Sequence, residues 1–256
     1  MPYGAKTSDA DSKKALAVRQ AVADSVDRAA LSSEVYKGSY TPLYSAVASG
    51  LTGSITPFKT LYGDGNGGPD VSKAKSTLSA AGVASPVTLN LQYTPDHYGA
   101  SSDDEYALIK SQLEKTGLFK VNLQSTLYDT YSTQRTKDAY PLYQLGWFPD
   151  YSDADNYLSP FFLPSAGSDG KQIDAGFVQN HYNNPEVDKL IDQQRSETDK
   201  AARTTEIEKI QTLEAGDIST LPLLQGAQVA VSAKDVKGVD STLDASFKFH
   251  YGALSR

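Results

Sequence analysis

PVTLNLQYTPDHYGASSDDEYALIKSQLEKTGLFKVNL, residues 86–123, changes its hydrophobic period twice. Val87, Leu89, Leu91 and Tyr93 alternate with polar positions, as a half-buried strand requires, because successive strand side chains point to opposite faces. Tyr106, Ile109 and Leu113 then recur at helical spacing, with Ser102 and Glu105 in capping-box spacing ahead of them and Gly117 as the stop. Phe119, Val121 and Leu123 return to alternation. Strand, helix and strand in this order predict a βαβ unit with parallel strands and a right-handed crossover.

The pattern extends outward in both directions. Upstream, Val18, Val22, Val26 and Ala29 or Ala30 predict a helix over 12–31, opening after Asp11 or Ser12. Asp70 caps a second helix whose Val71, Ala74, Leu78 and Ala81 share a face before Gly82 ends it. Downstream, Asn184-Pro185 is a cap followed by proline at the first helical position, leading into Val187, Leu190 and Ile191. Asp199 caps a further helix carrying Ile207, Ile210 and Leu213. Residues 221–224 and the alternating Val229 and Val231 read as strands. The final thirty or so residues read as an appendage: a polar turn region over 234–244 and a last strand through Phe247, Phe249 and Tyr251 with no helix to cover it. The fold class is therefore α/β, or mixed α+β. Residues 41–69, with Pro42, Pro57, Pro69 and a run of glycines, and residues 146–183 lack a period, and long irregular loops of this kind are candidate ligand surface.

Composition narrows the function. The 256 residues are 39% hydrophobic and 21% charged, near the globular average, and carry a formal net charge of -7 without a cluster of Lys and Arg, which argues against nucleic-acid binding. Cysteine is absent, removing thiolate catalysis, disulfides and Cys-ligated zinc together. No basic-then-apolar signal peptide precedes Met1-Pro2-Tyr3-Gly4, so the sequence reads either as a cytosolic protein or as a piece of a longer, processed parent, and this start favours the second.

Three motifs suggest chemistry. Gly63-Asp64-Gly65-Asn66-Gly67-Gly68 satisfies the G-x-G-x-x-G pattern, but no buried strand precedes it and Pro69 interrupts the junction with the helix, so a surface loop is expected. Asp150, Asp153 and Asp155 share one loop and invite a calcium site or a hydrolase carboxylate pair. An EF-hand register starting at Asp153 would place Leu158 where glycine is required, so no metal is expected. His97, His181 and His250 stand apart, without partners at ligand spacing, and read as surface or packing residues. No catalytic residue and no cofactor follow from the sequence.

Residues 142–151, Leu142-Tyr143-Gln144-Leu145-Gly146-Trp147-Phe148-Pro149-Asp150-Tyr151, carry the sharpest signal. An apolar run ends at Gly146, then delivers the only Trp of the chain, a proline-set turn and a carboxylate. Gly146 would admit an extended peptide backbone, Trp147 would offer a flat wall, and Asp150 would pair with an α-amino group. The same residues read equally as a buried Trp anchoring a loop, with Asp150 as a turn cap.

The stretch Gly146-Trp147-Phe148-Pro149-Asp150-Tyr151-Ser152-Asp153 resembles the Gly-Trp-x-x-Asp-Tyr-x-Asp signature of the oligopeptide- and dipeptide-type solute-binding proteins of ABC importers. Val18-Arg19-Gln20-Ala21-Val22 with Val26-Asp27-Arg28, the helix after Pro69-Asp70, the segment Tyr182-Asn183-Asn184-Pro185-Glu186-Val187-Asp188 and Leu221-Pro222-Leu223 are similar to other blocks of the family, in the same order. The resemblance implies the second lobe of a type II periplasmic-binding-protein-like fold, with residues 1–225 as that lobe and 226–256 as strands returning to a first lobe. It implies a monomeric, extracytoplasmic, periplasmic or lipid-anchored receptor that is not an enzyme, whose partners are a peptide and the permease subunits of the membrane. Asp150 would take the peptide's α-amino group and Trp147 a side chain, backbone near Gly146 would bond the peptide, and Tyr151 would assist. Nickel chelates or oligosaccharides are alternative ligands on this fold, and a hydrolase using Asp150, Asp153 and Asp155 is the alternative of another class.

Overall fold

The computed structural model of the protein describes residues 9–166, 172–173, 175–243, 246 and 250–256. The chain opens with helix α1 (Asp9–Ser25), a single turn α2 (Arg28–Ala30) that runs on into a π turn, and strand β1 (Tyr40–Pro42). Short α3 (Pro57–Leu61) and α4 (Val71–Ala80) follow. Then come β2 (Val87–Tyr93), α5 (Ser102–Lys115), β3 (Phe119–Ser125), α6 (Tyr128–Arg135) and β4 (Leu142–Tyr143). The second half holds α7 (Asp155–Phe162), a small hairpin of β5 (Ser165–Ala166) and β6 (Gln172–Ile173), α8 (Pro185–Ser196), α9 (Lys200–Asp217), β7 (Leu224–Gly226) and α10 (Val239–Thr242).

The βαβ unit forms as its periodicity predicts: β2 pairs in parallel with β3, Leu89 opposite Val121 and Leu91 opposite Leu123, and β4 joins on the other side of β2, giving the order β3-β2-β4. Leu89, Leu91, Phe119 and Val121 face a core built with Val18, Ala21 and Val22 of α1, Ala74 and Leu78 of α4, and Tyr106, Ile109 and Leu113 of α5. Parallel sheets are usually covered on both faces. Here Thr88, Asn90, Lys120 and Asn122 leave the opposite face polar and exposed, with Asn122 donating to Asn90 across the strands, which is why the sequence alternates so cleanly. A second core gathers Leu158 and Phe162 of α7, Val187 and Ile191 of α8, and Ile207 and Ile210 of α9.

The predicted caps at Asp70, Asn184 and Asp199 all accept hydrogen bonds from the backbone of their first turns. Several expectations are corrected. The helix over 12–31 breaks at Val26, because Asp27 accepts from the Ala30 amide and starts a new turn, leaving Ala29 exposed. Ser102 and Glu105 form no capping box: Ser102 accepts from Gln144 and Glu105 from the Tyr36 hydroxyl, while the Glu105 amide bonds the Ser101 carbonyl. Within 41–69, β1 and α3 form, and Gln211 of α9 bonds Ser45, Gly53 and Ile55, so much of this loop is packed structure. Within 146–183, α7 forms despite Pro160 inside it.

Of the strand expected over 221–224, only Leu224 lies in one: β7 runs on to Gly226 and pairs antiparallel with β1. Val229 and Val231 form no strand and are 80% and 94% exposed. In the polar region over 234–244, α10 forms and Lys237 bridges Ser255. Of the expected last strand, Phe247 and Phe249 lie outside the described residues, and Tyr251 opens a 3-10 turn. Among the described residues no helix is long and apolar enough to cross a membrane.

Candidate ligand-binding site

Parallel strands end on one edge of their sheet, and ligands of open α/β sheets gather beyond that edge. The chain leaves β2 into Thr94–His97–Tyr98, leaves β3 into Leu127–Tyr128, and leaves β4 into Gln144–Gly146–Trp147. Buried Gln144 knits these segments: its side chain accepts from the Thr94 amide (3.0 Å) and donates to Ser102 (3.1 Å), and its carbonyl accepts from the Tyr131 hydroxyl. Asp96 joins two of the loops, accepting from the Thr94 hydroxyl (2.8 Å) and the Tyr128 amide (3.0 Å), and these bonds, the Thr94 bond foremost, hold its carboxyl below the usual range.

Gly146 is required by its neighbour, because a Cβ there would collide with the ring of Tyr98. Tyr98 in turn meets Tyr128 edge-on, and His97 stacks on Tyr128 with ring centroids 3.4 Å apart. Tyr98 and Tyr128 were missed in the sequence, while His97, read as a surface or packing residue, does pack. The signal available was their position just after strands that the alternation had already placed.

Trp147 combines both of its sequence readings. Its ring is half-buried, packed edge-on against Phe161 and Phe177, and its indole N–H donates to Asn156 Oδ1 at 3.0 Å. Phe148 and Tyr151 are exposed, Pro149 is buried, and the Asp150 side chain is exposed while its backbone amide donates to the same Asn156 oxygen at 2.9 Å. Tyr151 donates its hydroxyl to Asp155. Trp147, Asp150 and Tyr151 are thus brought together on one short loop, with Gly146 at its root against Tyr98.

The other aspartates of this loop are structural partners. Asp153 receives a two-pronged ion pair from Arg203 of α9, 2.9 and 2.6 Å, which holds its carboxyl below the usual range and makes it unfit as a general acid at neutral pH. Asp155 accepts from Ser159 and from buried Gln194 of α8, and Gln194 itself bonds Arg203. No group of three or more potential metal ligands occurs among the described residues. In the glycine-rich loop, Asp64 Oδ1 accepts from the amides of Asn66 (2.7 Å) and Gly68 (3.0 Å), so the loop's own carboxylate occupies the place a phosphate would need. His181 pairs with Asp138 on the surface, far in sequence from this site.

The oligopeptide-binding protein OppA of Bacillus subtilis is 24% identical over 226 residues, covering 87% of this chain and 39% of its own length. Among solved structures, the murein tripeptide binding protein MppA of Escherichia coli superposes with a TM-score of 0.71 at 21% identity, covering 89% of this chain and 42% of that one. The dipeptide binding protein of Pseudoalteromonas sp. SM9913, solved in complex with Met-Leu, gives 0.74 at 22% identity, covering 94% and 45%. The fold is thus the type II periplasmic-binding-protein fold, and the chain spans less than half the length of these relatives. The sequence profile of the bacterial extracellular solute-binding proteins, family 5, middle region, matches residues 9–169, and the chain belongs to that family.

Proposed function

We propose that this chain is the ligand-gripping second lobe of a peptide-binding protein that feeds an ABC importer. The observation that carries the reading is the exposed Asp150 carboxylate beside the half-buried Trp147, on the loop leaving β4 at the C-terminal edge of a parallel sheet. Asp150 pairs with the α-ammonium of a peptide, Trp147 walls an adjoining side chain, and Tyr151 and the backbone near Gly146 complete the surface. A hydrogen bond to a charged group contributes about 1.5 to 3 kcal/mol, enough to fix the direction in which a peptide lies. The names of the relatives, an oligopeptide-binding and a dipeptide-binding protein, support the ligand class.

The lobe comprises residues 1–225, and residues 226–256 belong to strands of a first lobe. Support comes from the end of β7 at Gly226 and from Val229 and Val231, apolar at alternate positions yet 80% and 94% exposed and outside any strand here, as residues that pair with another lobe would be. The complete protein closes two lobes on its ligand by a hinge, in the periplasm or anchored by lipid, and presents the peptide to membrane permease subunits as a monomer. The test is a titration of Trp147 fluorescence, the only Trp, with trialanine and with N-acetyl-trialanine. A saturable change with the free amine and a much weaker one with the acetylated peptide is expected. Equal responses to both would remove Asp150 from the role, and silence to both would overturn the site.

A further inference from the structure

We infer that Asn156 is the positioning residue of the ligand loop, whose single side-chain oxygen fixes the Trp147 ring and the Asp150 backbone relative to each other. The inference rests on the reading of Trp147 and Asp150 as ligand contacts, and goes beyond it by naming what sets the spacing between the apolar wall and the carboxylate. Asn156 is only 2% exposed, so it is placed to act through its neighbours rather than on a ligand. Its Oδ1 accepts from Trp147 Nε1 at 3.0 Å and from the Asp150 amide at 2.9 Å. An amide oxygen has two acceptor positions, and both are taken by the two residues that matter most. One buried amide oxygen thus touches two of the four residues of the candidate site.

Asn156 is itself held from outside the loop. It lies in the first turn of α7, directly after Asp155, which is bonded by Gln194 of α8 and by Ser159. Two residues earlier in the loop, Asp153 is clamped by Arg203 of α9, and the Asp155 amide donates to Asp153 at 2.8 Å. The reference point for Trp147 and Asp150 is therefore the packed pair α8 and α9. A side-chain site is precise when such supporting bonds lock its geometry.

The experiment compares Asn156→Ala and Asn156→Asp with the unsubstituted chain and with Asp150→Ala. Fluorescence of Trp147 is read without ligand and during titration with trialanine. Asn156→Ala removes the acceptor of the indole N–H and of the Asp150 amide. It is expected to shift the unliganded emission, to increase acrylamide quenching and to weaken trialanine about tenfold. Asn156→Asp keeps an acceptor oxygen and is expected to restore emission and quenching, with affinity within about twofold of the parent. Should the alanine variant not fold, the aspartate variant carries the test, and a tenfold loss in it overturns the inference. If Asn156→Ala matches the parent in emission, quenching and affinity while Asp150→Ala weakens trialanine roughly 10- to 100-fold, the inference fails and the site stands. If the parent itself does not respond to trialanine, the site reading fails, and the unliganded emission still decides whether Asn156 holds Trp147.

Discussion

Two loops of this chain are organised by aspartates, and they direct those carboxylates in opposite ways. In residues 63–68 the carboxylate turns inward: Asp64 accepts from Asn66 and Gly68 of its own loop, and its amide closes the turn on the Gly68 carbonyl. In residues 146–156 the carboxylates of Asp153 and Asp155 turn outward, to Arg203 and Gln194 of the neighbouring helices, and Asp150 stays exposed. The glycine-rich loop has the sequence pattern of an anion site and has filled itself. The Trp147 loop has no regular period, yet Asp153 and Asp155 tie it to α8 and α9, and ties of this kind lower the ordering cost of binding.

Cutting the outward tie should have the largest effect on the protein's stability. Arg203→Met removes a two-pronged ion pair and the bonds to Gln194, and should lower the unfolding free energy by about 1 to 2 kcal/mol after allowance for partial exposure. Urea unfolding followed by far-UV circular dichroism measures it. An unchanged midpoint would mean that α9 does not brace the loop.

Acid should show the same tie from the other partner. Asp153 is held below its ordinary value of 3.8, chiefly by its hydrogen bonds to Arg203. Its contribution is present above that ordinary value and is lost as pH falls through the lower folded value. Glu214, fully buried at the end of α9, has the opposite sign: burial pushes it up from 4.5 to about 7, so its contribution is greatest below 4.5 and is lost as pH rises through about 7. Melting temperatures from pH 4.5 to about 7, the interval between the two values over which that contribution is lost, should vary less in Glu214→Gln than in the parent. An identical profile in the two proteins would remove Glu214 as the cause.

The inward loop should matter least. Asp64→Ala opens a surface turn next to α4 and is expected to produce a small fall in melting temperature with the trialanine response of Trp147 unchanged. A weakened response would join the two loops functionally and undo the contrast between them.

The same contrast explains how much was legible in the sequence. The alternation of residues 87–93 and 119–123 and the caps at Asp70, Asn184 and Asp199 are local signals, and each produced its element. The Trp147–Asp150–Tyr151 group was legible because it lies within one turn of chain. Its supports were not, since Gln144 reaches 50 residues back to Thr94 and Arg203 reaches 50 residues back to Asp153. Tertiary demand also overrode local pattern. Ser102 and Glu105 left their capping box for Gln144 and Tyr36, and α7 was not legible because Pro160 interrupts its period. Val229 and Val231 carry a strand pattern but have no pairing strand among the described residues, and the pattern alone did not make a strand.

The central claim, that Asp150 presents its carboxylate to a peptide amine, is tested most directly by titrating Asp150→Ala with trialanine against the unsubstituted chain, reading Trp147 fluorescence. The account predicts affinity reduced roughly 10- to 100-fold, the equivalent of one charge-assisted hydrogen bond, at an unchanged melting temperature. Affinity equal to that of the unsubstituted chain would contradict it.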